Sequence, residues 1–179
     1  MSTPIITCLL IVSLTLFSPA VGASNSLNDS MTVYEALQLY DFPVGLLPEG
    51  VTSYELNTTT GEFTVYLNKT CSFTIEGYNL KYKTKITGTI SKDKITDLKG
   101  IQVKVLFFWL NIVEVTRDGD ELEFSVGIVS ADFPMDNFVE SPQCGCGLDC
   151  ANGNGFDGEK EKAMEFSFKR LVFSSLNQM

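Results

Sequence analysis

The fold is decided by the stretch YKTKITGTI, residues 82–90, in which side-chain character alternates from one residue to the next. An alternation with period two predicts a β-strand that has one face buried and one face in water. The glycine in this strand predicts a bulge or bend. The predicted inner face carries Tyr82, Thr84, Ile86, Gly88 and Ile90.

The same period extends from Val51 to Phe133, and no helical stripe interrupts it. Residues 57–62 predict a hairpin turn with Gly61 at its tip. Asp118-Gly119 predicts a second hairpin with a type I′ turn. Residues 103–115 include the run Val105–Leu110, which is apolar on both faces, and this predicts either a central strand or a bent strand that passes between sheets.

A single helix precedes the strands. Thr32 followed by Glu35 fits a capping box, and Val33, Ala36 and Leu37 then fall on one face at helical spacing. One helix and about seven or eight short strands predict a mainly β fold, an antiparallel partly open β-barrel or sandwich.

The N-terminus has the pattern of a cleaved secretory signal. Residues 1–23 contain no charged side chain, residues 5–17 are predominantly apolar, and residues 20–23 are small. Cleavage is expected near Ala23, which places the mature chain outside the cell or in the endomembrane lumen. A polar lead-in, residues 24–30, then precedes a β-barrel-like domain over residues 31–148.

The C-terminal region is divided into two segments. Residues 149–158 are rich in glycine and asparagine and predict a flexible linker. Residues 159–179 fit either a helix or a strand, and the charged Glu-Lys-Glu-Lys sequence at residues 159–162 favours the helix. This segment is too short and too charged to cross a bilayer.

The formal net charge of the chain is −9. This charge argues against binding to nucleic acid, and against binding to an anionic membrane by bulk attraction. A local exception is the alternating series Lys81, Lys83 and Lys85, which we interpret as a solvated strand face.

The chain contains no histidine, which excludes Ser-His-Asp and Cys-His catalysis and histidine-ligated metals. A four-thiolate zinc site would need paired two-residue spacings, and these are absent. We therefore predict no catalytic residue, no metal and no cofactor. Carboxylate pairs such as Asp118 with Asp120 are interpreted as solvated charge.

Four cysteines lie outside the predicted signal: Cys71, Cys144, Cys146 and Cys150. Four cysteines allow three pairings, and the pair Cys144–Cys146 would close a strained ring. Two alternatives stay open, in which Cys71 pairs with Cys144 or with Cys146. N-glycosylation sequons occur at Asn28, Asn57 and Asn68.

Aromatic side chains are concentrated at Phe107-Phe108-Trp109. A small β-barrel either fills its interior with such side chains or leaves room for an apolar ligand. If a ligand is bound, we expect Phe107 and Trp109 to face the interior and contact it.

From Tyr34 to Cys144 the chain resembles the plant family catalogued as domain of unknown function 538. The resemblance implies a β-barrel-like domain in a secreted or endomembrane plant protein, and a bond between Cys71 and Cys144 that leaves Cys146 to pair with Cys150. The family has been likened to the lipid-binding fold of bactericidal/permeability-increasing protein and has no agreed catalytic motif. The motifs that carry the resemblance are Pro43–Pro48, Thr60–Phe63, Cys71, Ile86–Ile90, Leu98–Lys104, Phe107–Trp109, Val126-Gly127 and Ser130–Pro134.

Three hypotheses about function follow. The first is a protein that binds a small apolar or lipid-like molecule without catalysis. The second is an extracellular module that docks a protein or a cell-wall polymer through a sheet face or through residues 159–179. The third is a hydrolase that uses carboxylates or lysine, for which two titratable groups would have to converge in a pocket.

Overall fold

The computed structural model describes residues 31–75, 77–148 and 150. The predicted signal, the polar lead-in, the sequon at Asn28 and residues 151–179 lie outside the described residues. The predictions for the linker and the C-terminal helix therefore stay predictions.

The N-terminal helix α1 spans Val33–Leu39 and begins with the expected capping box. The Glu35 N–H donates to the Thr32 hydroxyl at 3.2 Å, and the Thr32 N–H donates to the Glu35 carboxylate at 2.7 Å. The Thr32 hydroxyl also donates to the Glu35 carboxylate, at 2.9 Å, and the bonds that this carboxylate accepts from the Thr32 N–H and hydroxyl lower the pKa of Glu35. The helix closes with Asp41 at φ 62° and with a Phe42 N–H bond to the Leu37 carbonyl, an arrangement that satisfies its last carbonyl groups.

In the described part of the chain nine strands follow the helix, and each is antiparallel to its neighbours. Seven of them form a continuous order, β1-β2-β4-β5-β7-β8-β9, while β3 pairs with β4 and β6 pairs with β5. Their bounds are β1 Val51–Leu56, β2 Glu62–Leu67, β3 Cys71–Ile75, β4 Tyr78–Ser91, β5 Lys94–Val105, β6 Phe108–Asn111, β7 Glu114–Asp118, β8 Glu121–Ser125 and β9 Ser130–Pro134.

The long strands β4 and β5 form the spine of a branched sheet. The first half of β4 pairs with β3 and its second half pairs with β2. Likewise, β5 pairs with β7 at its start and with β6 at its end. The β4–β5 register shifts on both sides of Thr87, so the irregularity predicted near Gly88 is confirmed. Gly100 lies in the same region at φ +99°, where a Cβ would be 2.4 Å from the Lys85 carbonyl oxygen.

The mainly β, antiparallel architecture with one N-terminal helix is confirmed. Over the described residues it is a single sheet that is not closed into a barrel, with β1 and β9 at its two ends. Helix α1 and two 3₁₀ turns, Val44–Leu46 and Met135–Phe138, add side chains to the same hydrophobic core as the strands.

The prediction of one long strand over residues 103–115 is wrong. The chain reverses at Leu106-Phe107, and Val105 pairs with Phe108 across a two-residue turn. Leu106 takes a φ of 55°, a left-handed conformation that is uncommon for leucine. The segment is apolar on both faces because it forms the exposed end of a hairpin, not because both faces are buried.

The hairpin between β7 and β8 is confirmed, but its predicted turn type is wrong. Asp118 pairs with Glu121, so the two turn residues are Gly119 and Asp120. Only Gly119 has a positive φ, 60°, which is the pattern of a type II′ turn. The turn lies one residue later than the type I′ prediction places it. Gly119 therefore occupies the first position of the turn, where the positive φ is required, and not the second.

Candidate functional site

An interior cavity of about 100 Å³ lies within the hydrophobic core and is partly open to solvent. Its lining consists of apolar and aromatic side chains drawn from α1, both 3₁₀ turns and both branches of the sheet. Among them are Val33, Ala36, Leu37, Leu46, Tyr78, Leu80, Tyr82, Ile101, Val103, Phe124, Phe133 and Phe138. An engineered apolar cavity of about 150 Å³ binds benzene, so the size of this one limits a ligand within it to about one ring or a short alkyl chain.

Two tyrosines of the lining have their hydroxyl groups satisfied by backbone carbonyls. Tyr82 donates to the Leu46 carbonyl at 3.1 Å, and Tyr54 donates to the Met31 carbonyl at 2.9 Å. Burial raises the pKa of Tyr82 well above its ordinary value, so the phenol remains a neutral hydrogen-bond donor. These hydroxyl groups fasten the helical side of the core to the sheet, and they leave the cavity to recognise hydrocarbon.

Aromatic rings line one part of the cavity. The ring of Phe133 meets that of Phe124 edge to face at 5.6 Å and that of Tyr78 at 5.4 Å between centroids. The Phe138 ring lies 5.3 Å from Phe124. Sequence reasoning counted several of these rings but could not show that the space between them is unfilled, because strand alternation identifies the inward face and not its packing.

The predicted ligand contacts Phe107 and Trp109 do not line this cavity. Phe107 is 89% exposed at the β5–β6 turn, and Trp109 is 38% exposed on the outer face of β6. The expectation that both side chains face the interior is wrong, because they belong to the end of a hairpin that projects beyond the core.

Trp109 instead makes a contact that sequence spacing could not reveal. The ammonium of Lys81 lies 4.4 Å from the centre of its indole ring. The pairing of Lys81 with Gln102, and of Lys104 with Trp109, places these residues on one face across three strands. The series Lys81, Lys83 and Lys85 is a strand face, as expected, and Lys81 is the member that contacts the indole.

A second, polar cleft of about 300 Å³ lies beside Cys150. Its lining includes Glu49, Glu140, Ser141 and Gln143, and both of these carboxylates belong to exposed residues. Among the described residues, no group of three or more acidic, cysteine or histidine side chains could bind a metal ion. The described residues that line the apolar cavity include no carboxylate or lysine, so this cavity gives no support to the hydrolase hypothesis.

The four cysteines are joined in the structure as Cys71–Cys144 and Cys146–Cys150. The Cα atoms lie 5.1 Å apart in the first pair and 5.4 Å apart in the second, both within the range that a disulfide requires. The first bond ties the start of β3 to the chain beyond the last 3₁₀ turn. The Gly145 N–H donates to the Ser72 carbonyl at 2.8 Å and fixes the same contact.

Two of the predicted sequons lie in exposed turns of the described chain. The side chain of Asn57 accepts the N–H groups of Thr59 and Thr60 at 3.0 and 3.2 Å, so its amide oxygen shapes the β1–β2 turn. Asn68 is exposed in the turn between β2 and β3. In the folded protein the Asn68 side chain is therefore the less constrained of the two.

In the part of the chain that the structure describes, no helix has the length and apolarity needed to cross a membrane.

Residues 33–139 match the sequence profile of a family described as "Protein of unknown function, DUF538". The chain is also similar to "Uncharacterized protein At5g01610" of Arabidopsis thaliana, with 34% identity over 98 residues. That match covers 52% of this chain and 55% of the relative, so the chain spans about half the length of the curated relative it matches.

Proposed function

Because the chain belongs to the DUF538 family of proteins of unknown function, its function must be argued from its own structure, and we propose that it binds a small apolar molecule in the interior cavity. The observation that carries this proposal is a cavity of about 100 Å³ with an apolar and aromatic lining. Ligand pockets for drug-sized molecules are usually about 300–1,000 Å³. The ligand is therefore a single ring or a short alkyl chain, or the apolar end of a larger lipid-like molecule.

Binding without catalysis is the form of the proposal that this lining supports. Every side chain in it is aliphatic or aromatic, and the Tyr54 and Tyr82 hydroxyls already donate to backbone carbonyls. Affinity would then come from transfer of apolar surface out of water, at about 25 cal/mol per Å². Selectivity would come from the shape between the rings of Tyr78, Phe124 and Phe133.

Benzene is a suitable probe, since an engineered apolar cavity of about 150 Å³ binds it. Saturating benzene should raise the unfolding temperature of the protein, because a ligand that binds only the folded state stabilises it. Val103→Phe should fill the cavity and abolish this rise. Val113→Phe adds the same ring at an exposed position outside the lining and should leave the rise intact.

Circular dichroism shows whether Val103→Phe folds, and Val103→Ile is the milder replacement if it does not. The absence of any benzene effect on the wild-type protein would refute the proposal. An equal loss in the Val103 and Val113 variants would place binding elsewhere. Mass spectrometry of molecules that co-purify with the protein from plant extract would then identify the natural ligand.

We also propose that the mature protein is secreted, or resides in the endomembrane lumen, and is glycosylated. The support is the uncharged leader over residues 1–23, the sequons, and cysteine pairs at disulfide distance. N-terminal sequencing of protein from the extracellular fluid should begin near Ser24. Digestion with an N-glycosidase should lower its apparent mass, and Asn68→Gln should remove part of that difference. An N-terminus at Met1 would contradict the secretory proposal.

A second candidate function is an interaction module. It is favoured by the apolar side chains that the fold leaves exposed between Leu106 and Trp109. The C-terminal segment, residues 159–179, was the other predicted docking element and lies outside the described residues.

A further inference from the structure

The end of the β5–β6 hairpin is the most exposed apolar surface in the described chain. Four consecutive side chains take part, with Phe107 89% and Phe108 68% exposed, and Leu106 and Trp109 each more than a third exposed. Scattered apolar side chains on a protein surface are ordinary, but a contiguous apolar group signals an interaction. This group lies at a two-residue hairpin turn, whereas partner helices usually dock into a groove.

Lysines border this apolar end on its outer face. Lys104 lies directly opposite Trp109 on the neighbouring strand, and the Lys81 ammonium lies 4.4 Å from the Trp109 ring centre. Lys83 is two residues further along β4 and shares the face of Lys81. Over residues 31–75, 77–148 and 150, the ion pairs use Lys92 and Lys94. The lysines beside the hairpin end therefore carry charge that no carboxylate of the described chain neutralises.

The charge of the molecule is distributed unevenly. Residues 77–113 contain seven lysines and two aspartates, a net charge of +5 within a chain whose total is −9. The remainder of the chain therefore carries −14. This positive charge runs along β4, β5 and β6, with Lys92 and Lys94 at the end opposite the hairpin, so an anionic surface would attract this part of the molecule and repel the rest.

We propose that the β5–β6 hairpin docks the protein on an anionic lipid bilayer. Phe107 and Phe108 enter the boundary between headgroups and acyl chains, and Trp109 lies at headgroup depth, where indole rings are enriched in membrane proteins. Lys81, Lys83 and Lys104 face the anionic headgroups. A bilayer is the occupant whose chemistry matches both features, an apolar wedge beside unneutralised cations. The inference is independent of the cavity proposal.

Trp109 is the only tryptophan of the chain, so its fluorescence reports directly on this hairpin. The full-length protein should be titrated with phosphatidylcholine vesicles that contain phosphatidylserine, and with pure phosphatidylcholine vesicles. We expect emission to move to shorter wavelength with the anionic vesicles, and this effect to weaken as salt rises. The leader, residues 1–23, is common to all variants and cannot account for differences between them.

Phe107→Ser should weaken vesicle binding about tenfold, because a phenylalanine side chain loses its apolar burial. Ile128→Ser is the matched control, since Ile128 is 63% exposed but lies in the β8–β9 turn. Lys104→Glu should weaken binding by about fivefold or more. Lys92→Glu makes the same charge change at the opposite end of the β4–β5 pair and should have little effect.

Several results would overturn the proposal. One is the absence of a fluorescence shift with anionic vesicles. Another is an equal loss in Phe107→Ser and Ile128→Ser, which would indicate non-specific adhesion. Equal binding to neutral and anionic vesicles would remove the role of the lysines. Capture of a protein through Phe107, without vesicle binding, would replace the bilayer by a protein partner. None of these results bears on the benzene experiment, so the two proposals fail separately.

Discussion

The hairpins β5–β6 and β7–β8 have turns of the same backbone conformation and differ in their side chains. Each reverses over two residues, and in each the first turn residue has a positive φ, 55° at Leu106 and 60° at Gly119. In the β7–β8 hairpin this residue is glycine, and the acidic side chains of Asp118 and Glu121 flank the turn, as is usual for a turn exposed to water. The β5–β6 hairpin uses leucine and follows it with an exposed phenylalanine, which folding alone does not favour. The difference indicates that the β5–β6 sequence serves something other than stability.

The two hairpins also differ in what fastens them. The β7–β8 hairpin is anchored by Leu122, which is fully buried. The β5–β6 hairpin extends from the end of the sheet that contains β3, where Cys71 lies opposite Tyr82 and Tyr82 lies opposite Ile101. That end is joined to the C-terminal part of the domain by the Cys71–Cys144 bond. We therefore expect the covalent link to add to the burial of Val103 and Val105 in the β5–β6 hairpin, whereas the β7–β8 hairpin is held by buried apolar surface.

The largest effect is expected for removal of that link. The double change Cys71→Ala and Cys144→Ala opens a loop with a sequence separation of 73 and should lower the free energy of unfolding by about 4 kcal/mol. The change Cys146→Ala with Cys150→Ala is the control, because its separation of 4 predicts a loss of about 2 kcal/mol. Urea denaturation measures both. Peptide mapping without reduction should find both links, and four free thiols would refute them.

The second-largest effect is expected when Leu122, the buried anchor of the β7–β8 hairpin, is truncated. Leu122→Ala should cost about 3 kcal/mol, since it leaves a cavity at a fully buried position. Phe107→Ala deletes a larger side chain but should change stability by less than about 0.5 kcal/mol, because that side chain is exposed. If urea denaturation shows that Leu122→Ala and Phe107→Ala lower the free energy of unfolding by similar amounts, the contrast between the two hairpins is wrong.

Exchange of the turn residues tests the backbone directly. Gly119→Leu should destabilise the protein by about 1–2 kcal/mol, the cost of a left-handed conformation for a residue with a Cβ. A Cβ at Gly119 would meet no heavy atom within 4 Å, so crowding does not contribute. Asp120→Leu, at the adjacent position without a positive φ, should change stability little. Thermal unfolding that ranks these two variants the other way would contradict the assigned turn.

The smallest effect has the opposite sign. Leu106→Gly should stabilise the protein by about 0.5–1 kcal/mol, since relief of the left-handed strain exceeds the entropy that glycine loses. Phe107→Gly introduces the same residue one position later, where φ is not positive, and should be mildly destabilising. If both variants destabilise the protein in chemical denaturation, Leu106 is favoured for stability after all and the contrast between the hairpins weakens.

The elements that sequence predicted are those with a local cause. The Thr32–Glu35 capping box, the alternation of β4 and the Asp118-Gly119 reversal each follow from contacts within a few residues. The β5–β6 hairpin could not be predicted in this way, because an apolar run has the same appearance in a buried strand and in an exposed hairpin. The positive φ of Leu106 has no sequence signal, since leucine rarely adopts it.

The candidate sites depended on tertiary placement to a greater degree. Sequence identified the aromatic side chains but placed Phe107 and Trp109 on the wrong side of the sheet. It could not predict the cavity, because the free volume depends on how side chains from α1 and both branches of the sheet meet. The contact of Lys81 with Trp109 requires the register of three strands, and no spacing along the chain encodes that register.

The open sheet leaves β1 and β9 with a neighbour on only one side among the described residues. Unpaired edges invite other chains to add strands and so start aggregation. Here β1 has a register shift between Val51 and Ser53, and β9 ends at Pro134, which has no N–H to offer. Both features interrupt the regular ladder that an incoming strand would have to match. At these two ends the sheet is thus less able to act as a template for fibrils.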